Sequence, residues 1–411
     1  MVPVVILSKR LSGRCEMSKY LNAFPGYEHI PGPENKGKGR NMFRGIDVGF
    51  GGYVYAEPGM YTNVALMDVS NMHGQSIICL NAFGEYTQRF ADLREIRTHI
   101  KHGEFDAVRH MFDGKLSKYL DDTSQADNLS NALKTAVNSC YGLTSANFET
   151  PMHDPRNINN IVALRGALFM KTLQDEVTEK GFKVAHIKTD SIKIPDATPE
   201  IIEYCMQRAR DYGYEFEHEA TYAKMCLVDK ADYIAKYDDH GIRNKGGKHA
   251  NEWTATGKQF AVPYLFKTLF SHEEIIFDDM CETFQVKEGA MYLDLNEDLP
   301  EGEHSYQFVG NVGQFTPIIS GEGAGQLYRI KDGKAYAVQG TKGYRWMESE
   351  RVKLLHKEDK IDRSYYRKLV DDGVASISEF GDFEWFVSND PLEGYMNKPI
   401  TDSQEEEVPF T

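Results

Sequence analysis

Several features that would mark a class of protein are scarce in this chain. No stretch approaches the ~18 consecutive apolar residues that a membrane-spanning helix needs, so no membrane partner is expected. Val2–Leu7 is apolar, but it is short and follows no basic stretch, so no signal peptide is expected there. The 6 cysteines are Cys15, Cys79, Cys140, Cys205, Cys226 and Cys281. None forms a Cys-x-x-Cys pair, which indicates neither a zinc site nor a disulfide framework and fits a reducing cytoplasm. Positive charge is short as well: 47 Lys and Arg against 62 Asp and Glu, a net charge of −15. Affinity for nucleic acid rests on Lys and Arg against phosphate, so composition by itself disfavours that partner. Net charge, however, describes solubility and long-range steering rather than a local surface. Part of the acidity sits in Glu405, Glu406 and Glu407, a solvated tail. Basic residues gather elsewhere, at Lys36, Lys38, Arg40 and Arg44 and again at Arg94, Arg97 and Lys101.

What is present suits a globular protein. The 411 residues are 41% hydrophobic and 27% charged, enough for two or three packed subdomains. Residues 1–45 hold no long periodic element, and Pro31–Arg40 reads as a loop. Val64–Val69 is a short apolar run, consistent with a buried strand and broken by Asp68. Phe90, Leu93, Ile96 and Ile100 recur at helical spacing, with Arg94, Arg97 and Lys101 on another face. A second helix is expected from near Ser124, with Leu129, Leu133, Ala136, Val137 and Cys140 on one face. Lys134, Asn138 and Tyr141 lie on the other, at i, i+4 and i+7, and Gly142 is the expected stop. The two helices predict a hairpin between residues 85 and 149. Ile161, Leu164, Leu168, Leu173 and Val177 mark a further helix ended by Gly181. Val184–Ile187 and Ile192–Ile194 read as a β-hairpin turning at Thr189-Asp190-Ser191. Glu200–Tyr212 reads as helix, and Lys224–Lys236 includes another strand.

Asp68 ends one strand and Asp190 tips a hairpin. Carboxylates held at the edge of a rigid sheet suit Mg²⁺, which favours oxygen ligands. Two of them, adjacent in space, can hold two metals about 3.5–4 Å apart for in-line phosphoryl displacement. Each Asp taken alone is weak evidence and reads more readily as a solvated turn residue. The line Lys134, Asn138, Tyr141 and Gly142 sets a cation, an amide and an aromatic ring along one helix face, where a Lys can neutralise a triphosphate and a ring beside a Gly can meet a base pair. An ordinary amphipathic helix with a solvated polar face has the same spacing.

Lys134 to Gly142, KTAVNSCYG, resembles motif B of family B DNA polymerases. Asp68 to Ile77, DVSNMHGQSI, resembles motif A, and His186 to Ser191, HIKTDS, resembles motif C. Phe50 to Tyr53, FGGY, resembles the Gly-Gly motif that precedes the polymerase domain, and Glu219–Tyr233 resembles the strand ending in the KKxY motif. The order along the chain matches the family, and the resemblance is strongest over residues 46–240. It implies an α+β right-hand polymerase of phage type, with an antiparallel-sheet palm, helical-hairpin fingers and a mixed thumb. The implied division is an N-terminal remnant or linker at 1–45, palm at 46–84 and 150–240, fingers at 85–149, and thumb and C-terminal region at 241–411.

By the same resemblance Asp68 and Asp190 are the catalytic carboxylates, and they hold two Mg²⁺ together with the Val69 carbonyl. Lys134 meets the phosphates of an incoming dNTP, with Asn138, Tyr141 and His73 around its base and sugar. Arg94 and Arg97 add phosphate contacts, for which a solvated basic face is the alternative. Gly51 and Gly52 approach the template backbone, Lys230 and Tyr233 lie along the primer strand, and Lys258, with Lys267, grips duplex DNA. The implied partners are primer-template DNA and dNTPs, in a host-cell cytoplasm. About 45 residues precede the Gly-Gly motif, too few for the family's nuclease domain, so no proofreading is expected in this chain and a separate exonuclease chain or other replication proteins are candidate partners.

The chain departs from the family at Lys188, where motif C has its first Asp, at His73 and Gly74 in motif A, and at Ala231 in the KKxY element. These departures keep an alternative open: a catalytically weakened, polymerase-like DNA-binding replication module that needs a second chain. A metal nuclease built on the same carboxylates leaves Lys134–Gly142 unexplained.

Overall fold

Helices and antiparallel strands are both abundant in the computed structural model, so the fold is α+β. It describes residues 24–33, 39–144, 146, 148, 160–296, 299–300, 303–319, 323–331 and 333–388. The readings made for Val2–Leu7, Cys15, Lys36, Lys38 and Glu405–Glu407 lie outside the described residues. The chain divides into two compact units, Met1–Lys230 with Lys236–Asn251, and Ala231–Ala235 with Glu252–Thr411.

In the first unit β1 (Tyr27–Ile30), β2 (Arg40–Phe43) and β3 (Ile46–Asp47) pair as an antiparallel meander. Composition shows no element here, because the strands are too short for alternation to register. β2 also buries a polar residue, Asn41, whose side chain accepts from the Tyr27 hydroxyl at 3.1 Å and donates to the Gly49 carbonyl at 3.0 Å. Next come β4 (Val54–Ala56) and β5 (Gly59–Val69), then the helices α1 (Met72–Cys79), α2 (Thr87–Lys101), α3 (Thr123–Thr144) and α4 (Ile161–Glu179). The hairpin of β6 (His186–Lys188) and β7 (Ser191–Pro195), helix α5 (Pro199–Tyr212) and β8 (Phe216–Leu227) follow. The strands lie in the order β8–β5–β7–β6–β4, each adjacent pair antiparallel.

This sheet has two unlike faces, because side chains alternate along a strand. Met67, Val69, Ile187, Ile192, Ile194 and Phe216 share a core with Leu164, Leu168, Leu173 and Val177 of α4 and Ile201, Cys205 and Ala209 of α5. The register puts His186, Asp68, Ser191, Lys193 and Glu217 on the opposite face. Helix α4 also buries Arg165, whose guanidinium lies 4.3 Å from the Tyr212 ring centroid and 4.4 Å from that of Tyr214. Between α2 and α3 a smaller core collects Ile96, Ile100, Leu120, Ala126 and Leu133.

The second unit holds two antiparallel sheets, Glu282–Gln285/Val312–Pro317/Trp346–Glu348 and Tyr306–Gly310/Ala290–Asp294/Gln326–Lys331/Lys334–Ala337. Its core centres on Trp346, which packs edge-on against Phe284 at 4.9 Å and Tyr365 at 5.1 Å and donates Nε1–H to the Thr341 carbonyl at 2.9 Å. The described residues of the aromatic, Gly-rich stretch Gly310–Trp346 form strands and turns of these sheets.

Three expectations need correction. Gly142 does not stop α3, which runs to Thr144. A glycine ends a helix by adopting a positive φ, and Gly142 is not among the positive-φ glycines. Ala136 is exposed while Ala126 takes a core position; a methyl group gives a periodicity reading little to hold. The strand expected at Val184–Ile187 is His186–Lys188, although Ala185 extends the ladder by donating to the Lys193 carbonyl at 3.0 Å. The strand expected within Lys224–Lys236 is present as Tyr233–Tyr237, after the end of β8 at Leu227. Leu168 is fully buried between sheet and helices, so Leu168→Ala leaves a cavity and should cost about 2–5 kcal/mol. Urea unfolding followed by circular dichroism should show the lowered midpoint.

Candidate active site

Strand pairing brings two distant carboxylates together. Asp68 stands one residue before the end of β5, opposite Ser191 on β7. Asp190 lies in the turn between β6 and β7, where Thr189 takes the left-handed conformation at φ 57°. The Val69 N–H donates to the Asp190 carbonyl at 2.8 Å, which ties the strand end to the turn. Burial, then the charge of Asp190, then that of Glu219 push the Asp68 carboxyl up to about 8, against the pull of Lys193. Burial likewise raises Asp190, which Lys193 also opposes.

Lys193 is only 2% exposed. It sits beside Leu66 on β5 and His186 on β6, on the same sheet face as Asp68. Burial and then Lys193 drive the His186 imidazole down to about 3, so it stays neutral. Sequence reasoning missed Lys193, Glu217 and Glu219, although the alternation of Ser191-Ile192-Lys193-Ile194 carried the signal for Lys193. Glu217 pairs with Asp68 across β5 and β8, and the register slips between Leu66 and Met67, leaving Glu219 as the extra residue of a β-bulge. Such bulges re-aim side chains, often beside functional sites.

The glycine pair serves this hairpin. Gly52 has φ 137°, and a Cβ there would come within 2.7 Å of Thr189 Cγ2. The Thr189 N–H donates to the Tyr53 carbonyl at 3.0 Å. Gly52 therefore lets the loop pack on the turn that carries Asp190, whereas a Cβ at Gly51 would meet open space.

Next to Asp190 is a cavity of about 430 Å³ lined by Asn71, Met72, His73, Gly74, Arg97, Lys134, Val137, Asn138, Tyr141 and Asp190. The predicted helix face Lys134–Asn138–Tyr141 thus forms one wall, and the start of α1 forms another. His73 stacks on Tyr141, ring centroids 4.1 Å apart and planes 8° from parallel. Burial holds the His73 imidazole below its ordinary value, and its Nδ1 is buried without a hydrogen-bond partner among the described residues. Arg97 reaches the cavity, burial lowers its pKa, and its Nε is buried and unpaired in the same way. Lys134 is exposed and makes no ion pair among the described residues. Asn160, which sequence reasoning missed, donates its Nδ2 to the Tyr141 hydroxyl at 3.1 Å and to the Phe50 carbonyl at 2.8 Å.

Arg94 stands apart. With the Gln75 amide oxygen turned towards it, both Nη atoms donate to Gln75 at 2.6 and 2.8 Å, and Nη2 also reaches the Ser70 carbonyl at 3.5 Å. Both it and Arg97 are half-buried rather than fully exposed on a solvated basic helix face. Gly51, Gly52, Lys230, Tyr233 and Lys258 do not line the cavity. Lys230 is exposed, and its carbonyl meets His186 Nε2 at 3.3 Å. Tyr233 is buried at the start of its strand, and Lys258 is exposed in the second unit.

The donor set around Asp68 fits a divalent cation: hard oxygens, where burial and then the neighbouring carboxylates raise a carboxyl to about 8, a cost that positive charge would relieve. Asp238, Asp239 and His240 also bring ligand atoms within 4.8 Å of one another, in a largely exposed turn. There the Asp238 carboxylate already accepts from the His240 and Gly241 N–H groups and pairs with Arg243.

No protein-family model matches the chain, and no curated protein does. Among solved structures it is similar to the family B DNA polymerase from the hyperthermophilic archaeon Pyrobaculum calidifontis, at 13% identity and a TM-score of 0.40, over 79% of this chain and 46% of that one. The chain therefore spans less than half the length of that polymerase. A likeness this loose assigns neither fold nor function, which rest on the chain's own residues.

The sign of the Asp68 effect on stability is set by linkage. Unfolded, the carboxyl ionises near its ordinary 3.8; folded, it keeps its proton up to about 8. Its contribution therefore falls as pH rises through that window and is flat above it. Asp68→Asn should stabilise the metal-free protein, with a gain in Tm that is larger at about pH 8 than at about pH 5. Thermal denaturation in EDTA at both values would measure it, and an equal gain would contradict the assignment.

Proposed function

We propose that the chain is a template-directed DNA polymerase that transfers nucleotides to a primer 3′-hydroxyl. One observation carries this reading. A single cavity has Asp190, the neighbour of Asp68, on one side and Lys134, Asn138, Tyr141 and Arg97 on the other, in a chain whose motifs run in the family B order.

In this reading the sheet and α4 are the palm (46–84 and 150–240), α2 and α3 the fingers (85–149), and 241–411 the thumb and C-terminal region. Asp68, the Val69 carbonyl and Asp190 would hold two Mg²⁺, which supply Lewis-acid activation of the primer hydroxyl and charge stabilisation at the leaving pyrophosphate. Lys134 and Arg97 offer cations to the triphosphate. His73 and Tyr141 present a stacked aromatic wall to base and sugar, and Asn138 adds an amide beside them. Arg94, committed to Gln75 and Ser70, holds α2 against the start of α1 rather than reaching the ligand. Lys230 and Lys258 are exposed cations suited to DNA phosphates, contacts that position rather than specify. Catalysis is then positioning plus electrostatics.

A second reading is favoured by the cations Lys188 and Lys193, which stand where the carboxylates' field matters most. They suit a DNA-binding replication module with weakened chemistry that depends on a second chain. Primer extension with Mg²⁺ and four dNTPs separates the two. A working polymerase extends the primer, and Asp190→Ala loses about 10²–10⁴-fold in rate, the several kcal/mol expected of a metal ligand. Lys134→Ala should act chiefly by raising KM for dNTP. DNA binding without extension by the wild type would favour the module.

A further inference from the structure

Asn160 occupies a junction that neither the motifs nor the catalytic carboxylates explain. It stands at the N-terminal cap of α4 in the left-handed conformation, φ 55° and ψ 56°. Its amide nitrogen donates to the Phe50 carbonyl, immediately before Gly51-Gly52, and to the Tyr141 hydroxyl on α3. A carbonyl can only accept, so Phe50 fixes which end of the amide faces the junction. The Tyr141 hydroxyl must then accept from Asn160, which leaves its own proton to give elsewhere. Among the described residues that hydroxyl makes no other hydrogen bond. The same ring is the one stacked on His73 in the cavity wall.

We infer that Asn160 is a positioning residue: it orients Tyr141 so that the phenol donates its proton to an acceptor atom of the bound nucleotide while the ring stays stacked on His73. The junction also ties that wall to the loop whose Gly52 packs on the turn carrying Asp190. One amide therefore registers the aromatic wall against the carboxylate hairpin. The inference rests on the reading of the cavity as a nucleotide site.

The left-handed backbone decides which variants are informative. Asn160→Gly and Asn160→Asp both tolerate this conformation, the first removing the side chain and the second keeping its size but losing the donors. Tyr141→Phe removes only the hydroxyl. The full-length chain is titrated with dNTP in Ca²⁺ and assayed for steady-state primer extension in Mg²⁺, with Tm recorded for each variant. Asn160→Gly, Asn160→Asp and Tyr141→Phe should each weaken dNTP binding and raise KM by about 10-fold, with kcat within about 2-fold and Tm little changed. The double variant Asn160→Gly/Tyr141→Phe should be no worse than either single one, because both remove one shared contact. Additive losses would overturn the inference, as would a lowered Tm with unchanged dNTP affinity. Absence of dNTP binding by the wild type would instead overturn the nucleotide-site reading itself, whereas wild-type binding matched by all three variants would overturn only the role of Asn160.

Discussion

The register of β5 against the β6–β7 hairpin is the constraint on which the rest depends. With Asp68 opposite Ser191 and Met67 opposite Ile192, the apolar residues of three strands fall on one face and the charged ones on the other. A slip of one residue would send Asp68 into the helix-covered core and Met67 to the polar face. The hydrophobic cost of that exchange makes the alignment of the two carboxylates a by-product of core formation. The Val69–Asp190 hydrogen bond and the close packing of Gly52 on Thr189 then hold the turn where the register has put it.

That placement is electrostatically expensive. Burial raises the Asp68 carboxyl, the charges of Asp190 and Glu219 raise it further, and the buried Lys193 offsets this only in part, leaving it at about 8. A stable core does not require such an arrangement; a hydrophobic replacement would often be no worse. Its persistence makes sense if a cation completes the cluster. Lys193 lowers the negative charge that such a cation would meet, and Lys188 is the position at which this chain departs from motif C.

The cavity beside Asp190 is assembled from the start of α1, from α2, from α3 and from the hairpin turn. Its cations and its aromatic wall lie on helices, with the carboxylate on a sheet turn. Arg94 on Gln75 links α2 to α1, and Asn160 links α3 to the glycine loop. These cross-links replace solvent at buried polar atoms and keep the walls in mutual register, the preorganisation that a site acting by position needs.

Strong periodicity made much of this legible in the sequence. The helical repeats at Phe90–Ile100 and Ile161–Val177, the turn at Thr189-Asp190 and the line Lys134–Asn138–Tyr141 are local patterns, and each formed as its spacing required. Weak or short patterns misled: Ala136 and Gly142 carry too little side chain to declare a face or a stop, and the strands at 27–47 are too short to show alternation. The sequence by itself determined which residues lie on which face of an element, because that follows from a repeat of 2 or 3.6. Only the tertiary structure decided which faces meet. It set Glu219 in a bulge, made Lys193 a buried counter-charge, turned Arg94 towards Gln75 and set Asn160 between Phe50 and Tyr141. Each of these depends on contacts between residues far apart in the chain, and no local repeat encodes them.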